Sequence, residues 1–131
     1  MLEINQTAPD FTTTNQDDKT VSLSQFKGAQ HVVLYFYPKD DTPGCTVEAN
    51  EFTALVAEFA AADTVVLGVS KDSGAKHLKF IAKHELKVEL LADTSGEVCE
   101  KYGVWGERQF MGKTYMGIAR STFVIDKKGI L

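Results

Sequence analysis

Only one residue in the run His31-Val32-Val33-Leu34-Tyr35-Phe36-Tyr37 is strongly polar, and Pro38 closes it. A short apolar run bounded by proline reads as a buried strand. A loop from Lys39 to Gly44 follows. From Cys45 to about Ala61 the period changes: Cys45, Ala49, Phe52, Val56 and Phe59 recur at helical spacing, with Glu48, Glu51 and Glu58 off that stripe. This predicts a helix whose first turn holds an inward-facing cysteine. The pattern then predicts a strand Thr64 to Val69, a helix Ser73 to His84, a strand Val88 to Leu91, a helix Ser95 to Tyr102 and a strand Ser121 to Ile125. Short β-like pieces near Phe11 to Thr13 and Val21 to Leu23 precede them. Strands alternating with helices predict an α/β sandwich around a central sheet.

Asp126-Lys127-Lys128-Gly129 is a turn signal, and the sequence ends two residues later at Leu131. A hairpin strand is only begun there. The expectation is one domain over residues 1–131 that lacks its C-terminal strand and helix. At 131 residues the chain holds one hydrophobic core and little more. Fourteen basic against eighteen acidic residues give a net charge of -4 without clustered basic blocks, which argues against nucleic acid or an anionic membrane as partner. The N-terminus has no signal-like region and no apolar run is long enough to span a bilayer, so a cytoplasmic location is expected. Two cysteines, Cys45 and Cys99, are too few for a secreted disulfide scaffold.

The chemistry concentrates in Tyr37-Pro38-Lys39-Asp40-Asp41-Thr42-Pro43-Gly44-Cys45-Thr46-Val47-Glu48. Thr42 suits an N-cap, Pro43 the first helical position, and Gly44 a close backbone approach. The free N–H groups of that turn favour a thiolate at Cys45 over the ~8.5 ionisation of an ordinary thiol, and they can hold a peroxide oxygen. A buried structural cysteine is the plain alternative. His77 and His84 lie seven apart on one helical face, with packing or surface roles more natural than metal binding. His31 has no evident acid partner. Trp105, Tyr35 and Tyr37 read as core or pocket-wall aromatics, with Tyr37 nearest the chemistry.

Pro38, Thr42 and Cys45 match the Pro-x-x-x-Thr-x-x-Cys signature of the peroxiredoxins, and Tyr35 to Ala49 is similar to the active-site segment of their bacterioferritin comigratory (Q-type) branch. The resemblance extends through Gln16 to Leu23, Gly68 to Asp72, Tyr102 to Glu107 and Met111 to Phe123, nearly the whole chain. It implies a thioredoxin-like three-layer sandwich with a central mixed sheet and an N-terminal β-hairpin extension. It also implies a thiol peroxidase in which Cys45 attacks hydrogen peroxide or an organic hydroperoxide and becomes a sulfenic acid. Thr42 then hydrogen-bonds the peroxide, Pro38 shields the sulfenate and Arg120 supplies a cation. Gly44, Tyr37 and Glu48 are expected at the substrate, Glu48 as an orienting partner of Arg120.

Many relatives carry a second cysteine five positions after the first, where this chain has Asn50. An external thiol such as thioredoxin, glutaredoxin or glutathione is therefore expected to recycle Cys45. Cys99 is the other candidate resolving thiol, although it equally suits a packed helix. No metal, flavin or haem is called for, since sulfur carries the redox change. Relatives of this branch imply a monomer or a weak dimer. A thioredoxin-like disulfide exchanger would need Cys-x-x-Cys, and Thr42 occupies its first position. A peroxide sensor built on the same thiolate is the remaining alternative.

Overall fold

The computed structural model describes residues 2–131. Strand β1 (Thr12–Asn15) and β2 (Thr20–Ser22) form the N-terminal hairpin, followed by a 3-10 turn at Leu23–Phe26. After these come β3 (His31–Phe36), α1 (Pro43–Ala61), β4 (Thr64–Ser70), α2 (Gly74–His84), β5 (Glu89–Ala92) and α3 (Glu97–Lys101). The chain closes with β6 (Trp105–Phe110), β7 (Lys113–Ile118) and β8 (Ser121–Ile125). Six strands make one mixed sheet in the order β2-β1-β5-β4-β3-β8. β3, β4 and β5 run parallel, while β1 and β8 join antiparallel on either side. The expected three-layer architecture is present, and the N-terminal hairpin extends the sheet through β1.

β3 is buried on both faces because successive side chains point to opposite sides of a strand. Val32, Leu34 and Phe36 enter one core with Phe11, Phe26, Leu67, Val69, Leu91, Cys99 and Tyr102. Val33, Tyr35 and the following Tyr37 enter the other with Cys45, Ala49, Val66, Phe80 and Leu90. Helices α1 and α2 cover this second face, and α3 with the N-terminal segment covers the first. Leu34, Phe36, Leu67 and Leu90 are completely buried; at about 1.5–3 kcal/mol per large apolar side chain, such positions fix the register of the central strands.

α1 starts at Pro43, the expected first helical position, two residues before its apolar stripe begins, because proline at N1 gives up no needed hydrogen bond. Predicted and observed elements differ in two places. α3 spans only Glu97–Lys101. Gly96, at φ +82°, ends a turn in which its N–H donates to Asp93 O, and the Asp93 carboxylate accepts from the Val98 and Cys99 N–H groups at 3.1 and 2.9 Å. The β6–β7 ribbon has no counterpart in the periodicity. Its two-residue turn, Met111-Gly112, has φ +51° and +79°, as a tight hairpin turn requires. At the end of β8 the Asp126 turn forms, with Asp126 N–H donating to Ile130 O. No helix among the described residues is long and apolar enough to cross a membrane.

Candidate active site

β3 delivers the chain to Tyr37 and Pro38, the loop through Thr42 reverses it, and α1 opens with Pro43-Gly44-Cys45. Cys45 is 1% exposed, so the first turn presents its sulfur to the interior edge of the sheet. Pairing of Ser121 with Phe36 brings the start of β8 beside the end of β3. That register carries Arg120, the residue just before β8, to the sulfur. Its Nη2 donates to Cys45 Sγ at 3.2 Å, and its Nη1 donates to Glu48 Oε1 at 2.6 Å.

One planar guanidinium thus bridges the thiol and a carboxylate one helical turn beyond it, which a lysine point charge cannot do. Burial alone would lower the Arg120 pKa, but its hydrogen bond and attraction to Cys45, with those to Glu48, hold it above its ordinary value. Burial pushes the Glu48 carboxyl up, against the pull of Arg120. Gly44 leaves room for this arrangement. A Cβ there would stand 3.3 Å from Arg120 Nη2.

Thr42 is the N-cap residue of α1 by position, with extended backbone, but its side chain does not cap. Its hydroxyl donates to Lys39 O at 3.1 Å. The Thr46 N–H donates to Thr42 O. Gly44 and Cys45 therefore keep N–H groups without an intrahelical partner, next to the sulfur and the guanidinium. Pro38 is exposed and lines a groove with Lys71, Trp105 and Met116, where Lys71 Nζ sits 3.9 Å above the Trp105 ring.

Tyr37, expected at the substrate, is buried, and its hydroxyl donates to Asp40 Oδ1 at 2.6 Å. Cys99 is not brought to Cys45. The two lie in cores on opposite faces of the sheet, Cys99 is completely buried, and burial, helped by Asp93, pushes its thiol pKa up. A disulfide needs Cα atoms within about 7 Å, and neither cysteine is bonded.

His77, His84 and Tyr35 take the packing, surface and core places expected of them, but the polar surroundings of each were not foreseen. His77 is completely buried against Asp40, and His84 pairs with Asp41. The two-histidine face of α2 and the adjacent acids of the loop were the available signals. Tyr35 also buries a hydroxyl that has no hydrogen-bond partner among the described residues.

The sequence matches the AhpC/TSA family over residues 4–131. The chain belongs to that family. Among relatives, it is 50% identical over 130 residues to peroxiredoxin Bcp of Bacillus subtilis (strain 168), covering 99% of this chain and 82% of that protein. A Xylella fastidiosa PrxQ cysteine-to-serine mutant superposes with a TM-score of 0.92 at 33% identity, over 99% of this chain and 82% of the other. The bacterioferritin comigratory protein of Xanthomonas campestris, solved as a trapped intermediate and ligand complex to study its alkyl peroxide reduction, gives 0.88 at 36%, over 98% and 80%. This peroxiredoxin is a thiol-dependent peroxidase by class, and its Pro38, Thr42, Cys45 and Arg120 converge on one end of the sheet.

Proposed function

We propose that Cys45 reduces hydroperoxides as the attacking thiolate, with Arg120, Thr42 and the first turn of α1 as its peroxide-binding site. The observation that carries this reading is the Arg120 fork, 3.2 Å from the sulfur. A fixed cation at that distance favours the ionised sulfur and stabilises charge that develops on oxygen. In the reaction the sulfur attacks the terminal oxygen of HO–OR. The S–O bond forms as the O–O bond breaks, RO⁻ leaves with the electron pair and takes a proton, and Cys45 becomes a sulfenic acid.

Thr42, having donated its hydrogen to Lys39 O, offers its oxygen lone pairs to the peroxide proton. The Gly44 and Cys45 N–H groups and Arg120 receive the departing oxygen. Pro38 covers the product from water. Recycling falls to an external thiol: it displaces the sulfenate oxygen as water to form a mixed disulfide, which a second thiol then reduces. Thioredoxin, glutaredoxin and glutathione all supply that chemistry. Two unpaired cysteines fit a reducing compartment, so the proposed location is the cytoplasm.

Cys45→Ser should abolish peroxide consumption, because a hydroxyl is a far poorer nucleophile than a thiolate. Full activity in that variant overturns the assignment. Intact mass after one equivalent of peroxide should show a single added oxygen on wild type, in place of the two-hydrogen loss of an internal disulfide.

A further inference from the structure

Helix α2 grips the loop between Pro38 and Thr42 through two consecutive carboxylates. His77 Nδ1 lies 2.7 Å from Asp40 Oδ2, and its Nε2 lies 2.8 Å from Leu91 O. Nε2, facing a backbone carbonyl, donates to it, and Nδ1 shares one proton with the Asp40 carboxyl group. Tyr37 donates to the other Asp40 oxygen, and the Asp40 N–H donates to Asp72 Oδ2 at 2.7 Å. One residue on, Asp41 has φ +61°, a left-handed conformation that non-glycine residues hold only when their surroundings enforce it. Lys83 Nζ and His84 Nε2 hold its side chain, at 2.7 and 2.8 Å from its two oxygens.

We propose that His77, Lys83 and His84 are positioning residues: by locking Asp40 and Asp41, α2 sets where Pro38 and Thr42 stand against Cys45. None of the three touches the sulfur or the peroxide in the mechanism above, and the inference rests on that reading of Cys45. Stability alone accounts poorly for these contacts. Exposed ion pairs such as Asp41–Lys83 contribute little to folding, and a buried pair such as Asp40–His77 is often replaceable by apolar residues without loss. Placement is different, because an error of about 1 Å in an attack geometry slows reaction as much as 100-fold. A loop that turns through one left-handed acid depends on its anchors for that accuracy.

The test is single-turnover oxidation of Cys45 by hydrogen peroxide, with rate constant and amplitude recorded separately. His77→Gln should keep the full amplitude while its second-order rate constant falls about 10- to 100-fold. Asp41→Asn tolerates the left-handed backbone but loses the charge, and should slow about two- to fivefold. A merely structural role lowers the melting temperature or the amplitude and leaves the rate constant per reactive thiol unchanged, which overturns the proposal. Should His77→Gln fail to fold, Asp41→Asn decides alone, and an unaltered rate constant there is fatal. Retained turnover in Cys45→Ser would sink the underlying reading; an inactive Cys45→Ser beside an unslowed His77→Gln would sink only the clamp.

Discussion

Arg120 spends one side chain on two tasks, holding the sulfur and being held by Glu48. Its 41% exposed side chain would otherwise be free to sample solvent, and the 2.6 Å bond to Glu48 restrains it. Arg120→Met should therefore lower the single-turnover rate constant with hydrogen peroxide about 10²- to 10³-fold, the loss typical of one preorganised donor at a developing oxyanion. Arg120→Lys should recover part of it, since the charge returns without the bridging fork. Stopped-flow oxidation gives both numbers, and a Met variant as fast as wild type contradicts the role. Of this constellation, Glu48 lies one helical turn after Cys45, a spacing that allows a shared partner but serves a solvent-facing glutamate nearly as well. Arg120 was not legible from spacing. It lies 75 positions from Cys45, nothing local marks it, and only the family resemblance pointed to it.

At the level of elements, periodicity served best where one chain segment faces a core. β3, β4, α2 and β8 lie where their apolar patterns put them. The β6–β7 ribbon escaped notice because its side chains are mostly solvent-facing, with Phe110, Met111, Tyr115 and Met116 exposed, so no alternation survives. The short reach of α3 came from Asp93 and Gly96, a turn whose geometry composition alone does not announce.

The sheet also decides what Cys99 can do. Strand alternation sends Phe36 to the Cys99 side and Tyr35 and Tyr37 to the Cys45 side, so a full layer of backbone separates the thiols. In the native protein iodoacetamide at pH 8 should label Cys45 and spare Cys99, with the second label appearing only on unfolding in urea. Peptide mass mapping reads this directly. Native labelling of Cys99 at a comparable rate would revive it as a resolving thiol.

Across the whole molecule, the two cores hold four acidic hydrogens that burial keeps in place. Burial raises the pKa of the Cys99 thiol above its ordinary value, with Asp93 adding to the effect. It likewise raises the phenols of Tyr35, Tyr37 and Tyr102 above their ordinary 10.0, with nearby carboxylates contributing. A raised native pKa means that the unfolded chain loses its proton first. The stability tied to each group is then complete below the ordinary value and declines as pH climbs past it, until the native group also ionises. Folding free energy from urea titration should begin to fall near pH 9 as Cys99 comes into play. It should steepen above about pH 10, when the three tyrosines join, each fully engaged group adding about 1.4 kcal/mol per pH unit. Cys99→Ala should delay the onset towards pH 10 while leaving the steeper limb, even if a small cavity lowers the whole curve. A wild-type curve flat through pH 10.5 would mean that these groups ionise as easily in the folded protein as in the unfolded chain, which their burial against β3 and α3 forbids.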